Sequence, residues 1–130
     1  MKGYKGRIKK KITIKLIGDA EKAFKDLNKL VSEQRNSGIT SSKDITLLNA
    51  INRLFDVIIN NPFYGENAKK YLIPKEYRQK YDADNLFIAD LPDYWRMIYT
   101  LESDEIEIIA FVLDIIDHDD YNKKFGFKKR

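Results

Sequence analysis

Residues 84–121 read DNLFIADLPDYWRMIYTLESDEIEIIAFVLDIIDHDDY, and the fold depends on how this stretch divides. Residues 85–91 and 95–101 are short runs rich in aromatic and β-branched side chains, separated by the turn dipeptide Pro92-Asp93. Residues 106–116 are almost continuously apolar. They follow Leu101 through Glu102-Ser103-Asp104-Glu105, a polar connection of the length that joins antiparallel neighbours. The pattern predicts a three-stranded antiparallel meander. A strand apolar on both sides belongs at a sheet centre, so helices must cover one side of the sheet, and the upstream chain must supply them.

Upstream, residues 11–17 alternate, with Ile12, Ile14 and Leu16 on one side and Thr13 and Lys15 on the other. This is a half-buried strand, expected near a sheet edge where lysines discourage further pairing. Gly18-Asp19 ends it, and Asp19 is placed to accept hydrogen bonds from the first amides of a helix. Ala20, Ala23, Phe24, Leu27, Leu30 and Val31 then recur at helical spacing until Asn36-Ser37-Gly38. Ser41 with Asp44 resembles a capping box, and Ile45, Leu48, Ile51, Leu54, Phe55 and Ile58 form a second stripe that Pro62 terminates. The expectation is an α+β fold: an N-terminal strand, then two antiparallel helices packed on the meander. Phe24, Leu27, Leu48 and Phe55 should be core.

Between the second helix and the meander, Asn61-Pro62-Phe63-Tyr64-Gly65 is turn chemistry. Lys69, Lys70, Lys75, Arg78 and Lys80 then crowd together with tyrosines at 71, 77 and 81. Cations that track phosphates and rings that stack on bases suit single-stranded RNA. A solvated connection whose tyrosines pack on the sheet edge explains the same composition.

A length of 130 residues fits one domain with one core, flanked by basic tails at 1–10 and 122–130. Hydrophobic residues at 43% and charged residues at 34% describe a globular chain, neither disordered nor membrane-spanning. Cysteine is absent, which excludes disulfides and thiolate metal sites. No apolar run of signal-peptide length occurs near the start, so a cytoplasmic location is expected. The net charge of +4 conceals an uneven distribution. Residues 1–16 hold seven Lys or Arg and residues 121–130 hold five, both without acids, whereas residues 81–120 hold twelve acids against Arg96 alone. Basic ends attract polyanions in a salt-sensitive way, although lysine-rich termini are also ordinary solvated tails. Lys9 to Lys11, Lys123, Lys124 and Lys128 are the cations in question, together with those at 69–80.

Tyr94-Trp95-Arg96-Met97-Ile98-Tyr99, an apolar strand, and then Asp117-His118-Asp119-Asp120-Tyr121 resemble the RelE/ParE toxin superfamily, in particular its RelE-type messenger-RNA endonucleases. The order strand, helix, helix, three strands extends the resemblance over residues 12–125. It implies a toxin of a type II toxin-antitoxin pair that cleaves mRNA on the ribosome and is silenced by a cognate antitoxin protein. It also implies roles: Arg96 matches the phosphate-binding arginine, His118 the His or Arg after the last strand, and Tyr121 the late tyrosine. This chain departs from its relatives in surrounding His118 with Asp117, Asp119 and Asp120, acids that should favour the protonated imidazole and repel phosphate.

Cleavage of RNA without a metal needs a group to take the 2′-hydroxyl proton, a donor for the departing 5′-oxygen, and a cation for the phosphate. Arg96, His118 and Tyr121 can divide these tasks. No cofactor or metal is expected, although the acids at 114, 117, 119 and 120 leave Mg²⁺ as an alternative. Structural readings stand beside these. Arg96 can pair with Asp114 or Asp90, and His118 can be an ordinary exposed side chain. Tyr94, Trp95 and Tyr99 fit sheet packing or antitoxin contact better than RNA stacking. Two further functions remain open: a ParE-like or catalytically inactive relative that binds a protein, and a plain RNA-binding module.

Overall fold

The computed structural model describes residues 10–126. In chain order the elements are β1 (Lys11–Leu16), α1 (Gly18–Asn36), α2 (Lys43–Asn60), β2 (Glu66–Asn67), α3 (Lys75–Tyr81), β3 (Phe87–Asp90), β4 (Arg96–Ser103), β5 (Glu107–Ile116) and α4 (His118–Phe125). The architecture is α+β, with a five-stranded mixed sheet in the order β1-β5-β4-β3-β2. The meander is β3-β4-β5, antiparallel throughout, while β1 lies parallel to β5 at one edge. Lys9 and Lys128 fall outside the described residues, which leave out 1–9 of the first basic tail and 127–130 of the second. Residues 122–125 of the expected C-terminal tail belong to α4.

One face of the sheet receives α1 and α2. Ala20, Leu47, Ile51, Leu54 and Ile58 from the helices meet Ala89, Met97, Tyr99, Ala110, Val112 and Ile115 from the strands, with Phe24, Leu27 and Phe55 packed against them. Phe24 near the start of α1 touches Phe55 near the end of α2, and Val31 clusters with Ile45 and Leu48, so the helices run antiparallel.

The expectation that helices cover one side was incomplete. Ile73, Tyr77, Ala83 and Leu86 bury the opposite face against Ile98, Leu113 and Ile116, and Tyr121 and Phe125 of α4 pack on them. The tyrosine-rich connection therefore separates side chain by side chain: Tyr77 is buried, whereas Tyr71 is 76% exposed. Both layers are needed because β5 is apolar on both sides.

A bulge in β5 turns two successive side chains to the second layer. Ile98 pairs with Asp114 and Tyr99 with Val112, leaving Leu113 as an extra residue. Strand side chains ordinarily alternate between faces, and an extra residue interrupts that alternation. Leu113 joins the second core, and its neighbour Asp114 also reaches that side to bond Tyr77.

Two caps differ from expectation. The first helix is entered from Ile17 without a side-chain cap, and Asp19 lies in the first turn, where its charge complements the helix dipole. Gly18 has φ +54°, and a Cβ there would run into the Tyr81 hydroxyl, so this position holds glycine for two reasons. The second helix is capped one residue later than the Ser41 reading, by Ser42, whose Oγ accepts from Ile45 N at 3.1 Å. Asp44 instead accepts from Gln34 Nε2 at 2.8 Å and fastens the end of α1 to the start of α2.

Candidate functional site

Arg96 opens β4, and the antiparallel register places it opposite Asp90 on β3 and Ile116 on β5. Of the two acids considered for it, Asp90 is the partner: Arg96 Nε lies 3.1 Å from Asp90 Oδ1. Arg96 Nη1 donates to the Trp95 carbonyl at 3.2 Å, and the guanidinium stands 5.1 Å from the Tyr121 ring centre. The arginine side chain is only 18% exposed, so its flat cation is held rather than waving in solvent.

Immediately after Ile116 the chain turns into α4, because Asp117 caps the helix by accepting from Asp120 N at 2.9 Å. Asp119 and Asp120 occupy its first turn, where negative charge suits the exposed amides. The acidity beside His118 thus has a local structural cause. His118 is exposed, its Nε2 meets Asn122 Nδ2 at 3.1 Å, and its ring lies 5.6 Å from that of Tyr94. Tyr121, one helical turn on, is half-buried; burial holds its phenol above the ordinary value, against the pull of Arg96. A phenol shifted upward serves as a donor or positioning group at neutral pH, and poorly as a base.

The fold therefore brings Arg96 against Tyr121 and sets His118 on the same short helix beside Tyr94. Tyr99 goes elsewhere: fully buried, its hydroxyl donates to Pro62 O and accepts from Gly65 N, both at 2.9 Å. Trp95 packs against the α1–α2 layer. Tyr94 is 70% exposed, so sheet packing does not describe it.

The basic candidates are dispersed. Lys69 and Lys70 lie at a 3₁₀ turn before α3, and the Lys70 carbonyl accepts from the Arg78 guanidinium. Lys75 opens α3 and is exposed, as is Lys123 on α4. Lys80 sits 3.7 Å from Asp19 and 5.4 Å from the Tyr81 ring centre. Lys124 is already engaged: its Nζ lies 2.6 Å from Glu76 and 3.3 Å from Asp114.

That last contact belongs to a network the sequence reading missed. Asp114 is 3% exposed and accepts from Tyr77 Oη at 2.7 Å, so α3, α4 and β5 meet at one buried carboxylate. The signal was present, since a lone acid inside an apolar run needs a partner; its identity was not. Burial pushes the Tyr77 phenol far up, and Asp114 adds to the shift. Burial works against the charge on Lys124, but Glu76 and Asp114 outweigh it and raise its pKa. Among the described residues, no cluster of three or more His, Asp or Glu side chains is arranged to hold a metal ion.

Burial raises the Asp114 carboxyl above its ordinary range, although Tyr77 and Lys124 oppose the shift. The folded chain thus holds this proton more tightly than the unfolded one. The resulting stability is complete below the unfolded carboxylate pKa of about 4 and is lost as pH rises through the higher folded value. Asp114→Asn, a stand-in for the neutral acid, should match wild type near pH 4 and gain on it as pH rises. Paired denaturant unfolding across pH measures this. A gap that stays constant, or shifts towards wild type with rising pH, would sink the assignment.

Comparison with protein-family models, with curated proteins and with solved structures finds no match. No helix among the described residues is long and apolar enough to cross a membrane.

Proposed function

We propose that this protein is a RelE-type toxin: a cytoplasmic, metal-independent endoribonuclease that cuts mRNA on the ribosome and is held silent by a small antitoxin protein. The observation that carries this reading is the register Arg96↔Ile116, which sets the guanidinium against Tyr121 at the start of the helix bearing His118. An α+β domain in which a strand and two helices precede a meander, with β2 and α3 between them, is the coarser support for a RelE-like reading.

In this mechanism Arg96 exchanges Asp90 for the scissile phosphate and stabilises its growing negative charge through paired donors. His118 delivers a proton to the leaving 5′-oxygen. Tyr121 donates a hydrogen bond that orients the 2′-hydroxyl, whose proton passes to solvent water as its oxygen bonds to phosphorus; the bond to the 5′-oxygen breaks, and the products are a 2′,3′-cyclic phosphate and a free 5′-hydroxyl. Lys69, Lys70, Lys75, Arg78, Lys80 and Lys123 supply phosphate contacts along the strand.

One observation favours a second reading, the ParE-like or inactive relative that binds a protein target. Arg96 is already neutralised by Asp90, and Asp93, Asp119 and Asp120 stand exposed nearby.

Purified protein with programmed ribosomes and mRNA, in the presence of chelator, separates the two. The nuclease reading expects new 5′-hydroxyl ends within coding sequence. It also expects single-stranded RNA affinity to fall with salt at a log–log slope near −4, as about six neutralised phosphates give at ~0.7 each. Intact mRNA with a flat salt response would move the conclusion to the protein-binding relative.

A further inference from the structure

The turn joining β3 to β4 carries a residue that its backbone disfavours. Trp95 N donates to Pro92 O at 3.3 Å and Leu91 N to Trp95 O at 2.9 Å, and the two residues between, Asp93 and Tyr94, have φ of 58° and 64°. Positive φ at both central positions is the signature of a type I′ turn, whose usual sequences are Asn-Gly and Asp-Gly. Asp93 suits its place. Tyrosine at the second position does not, because a Cβ in the left-handed region crowds its own backbone.

Burial does not offset that strain, since Tyr94 is 70% exposed. The ring is nevertheless placed. It lies 5.6 Å from the His118 imidazole with a 55° tilt, and two residues on Arg96 faces Tyr121 at 5.1 Å. Tyr94 with His118 and Arg96 with Tyr121 are thus neighbouring rungs between the turn and α4. Retaining a strained side chain in the open beside such groups is the pattern of a functional contact.

We infer that Tyr94 is a stacking platform for an unpaired RNA base adjoining the phosphate at Arg96, an assignment that rests on the ribonuclease reading above. The spacing to His118 is too small to admit a base between the rings. The base stacks on the solvent-facing side of Tyr94, and the ring contributes to where the strand is cut.

The test is to titrate end-labelled 2′-O-methyl oligoribonucleotides of about ten nucleotides, which cannot be cut, against wild type, Tyr94→Phe and Tyr94→Gly, and to melt the same proteins. The phenylalanine variant should bind like wild type. The glycine variant should bind roughly five- to a hundredfold more weakly, yet melt at the same or a higher temperature, because glycine is what the turn prefers. Making one nucleotide abasic at a time should reveal a position at which wild type and Tyr94→Gly converge. Equal binding by the glycine variant, or a lower melting temperature, overturns the platform. If wild type binds and cuts RNA while Tyr94→Gly does so equally well, only this assignment fails. If wild type binds no oligonucleotide, the ribonuclease reading fails with it.

Discussion

On the ribonuclease reading, His118→Ala should slow mRNA cleavage by about 10²- to 10⁴-fold, the usual value of one positioned proton-transfer group. The substitution is clean because His118 is exposed, its named contacts being Asn122 Nδ2 at 3.1 Å and the Tyr94 ring. Surface changes of this kind leave stability within about 0.5 kcal/mol, so a large rate loss with an unchanged melting temperature reports chemistry. Arg96→Lys is the companion. It keeps the charge but loses the planar, two-pronged donor set, and roughly 10²-fold is expected from losing one well-aimed donor at a developing charge. Tyr121→Phe should cost less, since the ring that meets Arg96 remains and only the hydroxyl goes. Single-turnover cleavage on ribosomes, scored for each variant beside its thermal melt, decides the matter. Cleavage at wild-type rate in all three variants would refute the site.

Lys124→Met should destabilise the fold at pH 7 by on the order of 3 kcal/mol, the low end of what stranding a buried charge costs. The low end is appropriate because the Lys124 side chain is 21% exposed while that of Asp114 is 5% exposed. Removing the ammonium leaves Asp114 with the Tyr77 hydroxyl as its remaining named partner, and Glu76 loses its contact as well. A loss of that size lowers the melting temperature by roughly 10 °C. Two features make the prediction specific. The loss should shrink towards pH 4, where Asp114 is protonated in both proteins, and Asp114→Asn added to Lys124→Met should recover most of it by removing the stranded charge. Denaturant unfolding of wild type, both single variants and the double variant gives the coupling directly. If Lys124→Met unfolds within about 0.5 kcal/mol of wild type, Lys124 is an ordinary solvated lysine, and the contact with Asp114 does not help to hold α4.

The meander was legible because its information is local. Alternation, a continuous apolar run and two polar connections fall within residues 85–116, and β3, β4 and β5 occupy that span in antiparallel register. The helices were legible for the same reason, but their starts were not. Ser41 and Ser42 are chemically alike, and only the trajectory of the chain puts the Ser42 hydroxyl on Ile45 N.

Residues 61–83 show where composition stops being informative. Lysine and tyrosine interleaved suit an RNA surface and a packed layer equally. Which tyrosine turns inward depends on a partner 37 residues away, Asp114, reached only because the bulge at Leu113 rotates that carboxylate towards α3. The candidate site divides in the same way. The resemblance carried by residues 94–99 and 117–121 is what pointed to Arg96, His118 and Tyr121. That Asp90 rather than Asp114 neutralises the arginine, that the acids at 117, 119 and 120 serve the start of a helix, and that Lys124 is anchored instead of free came from strand register and helix docking. By itself the sequence determined the class of fold and the meander, because both rest on periodicity, while the three side chains worth testing rest on a family resemblance at residues 94–99 and 117–121. Only the tertiary structure decided which charges pair and which rings stay open to solvent, because those outcomes depend on contacts between elements far apart in the chain.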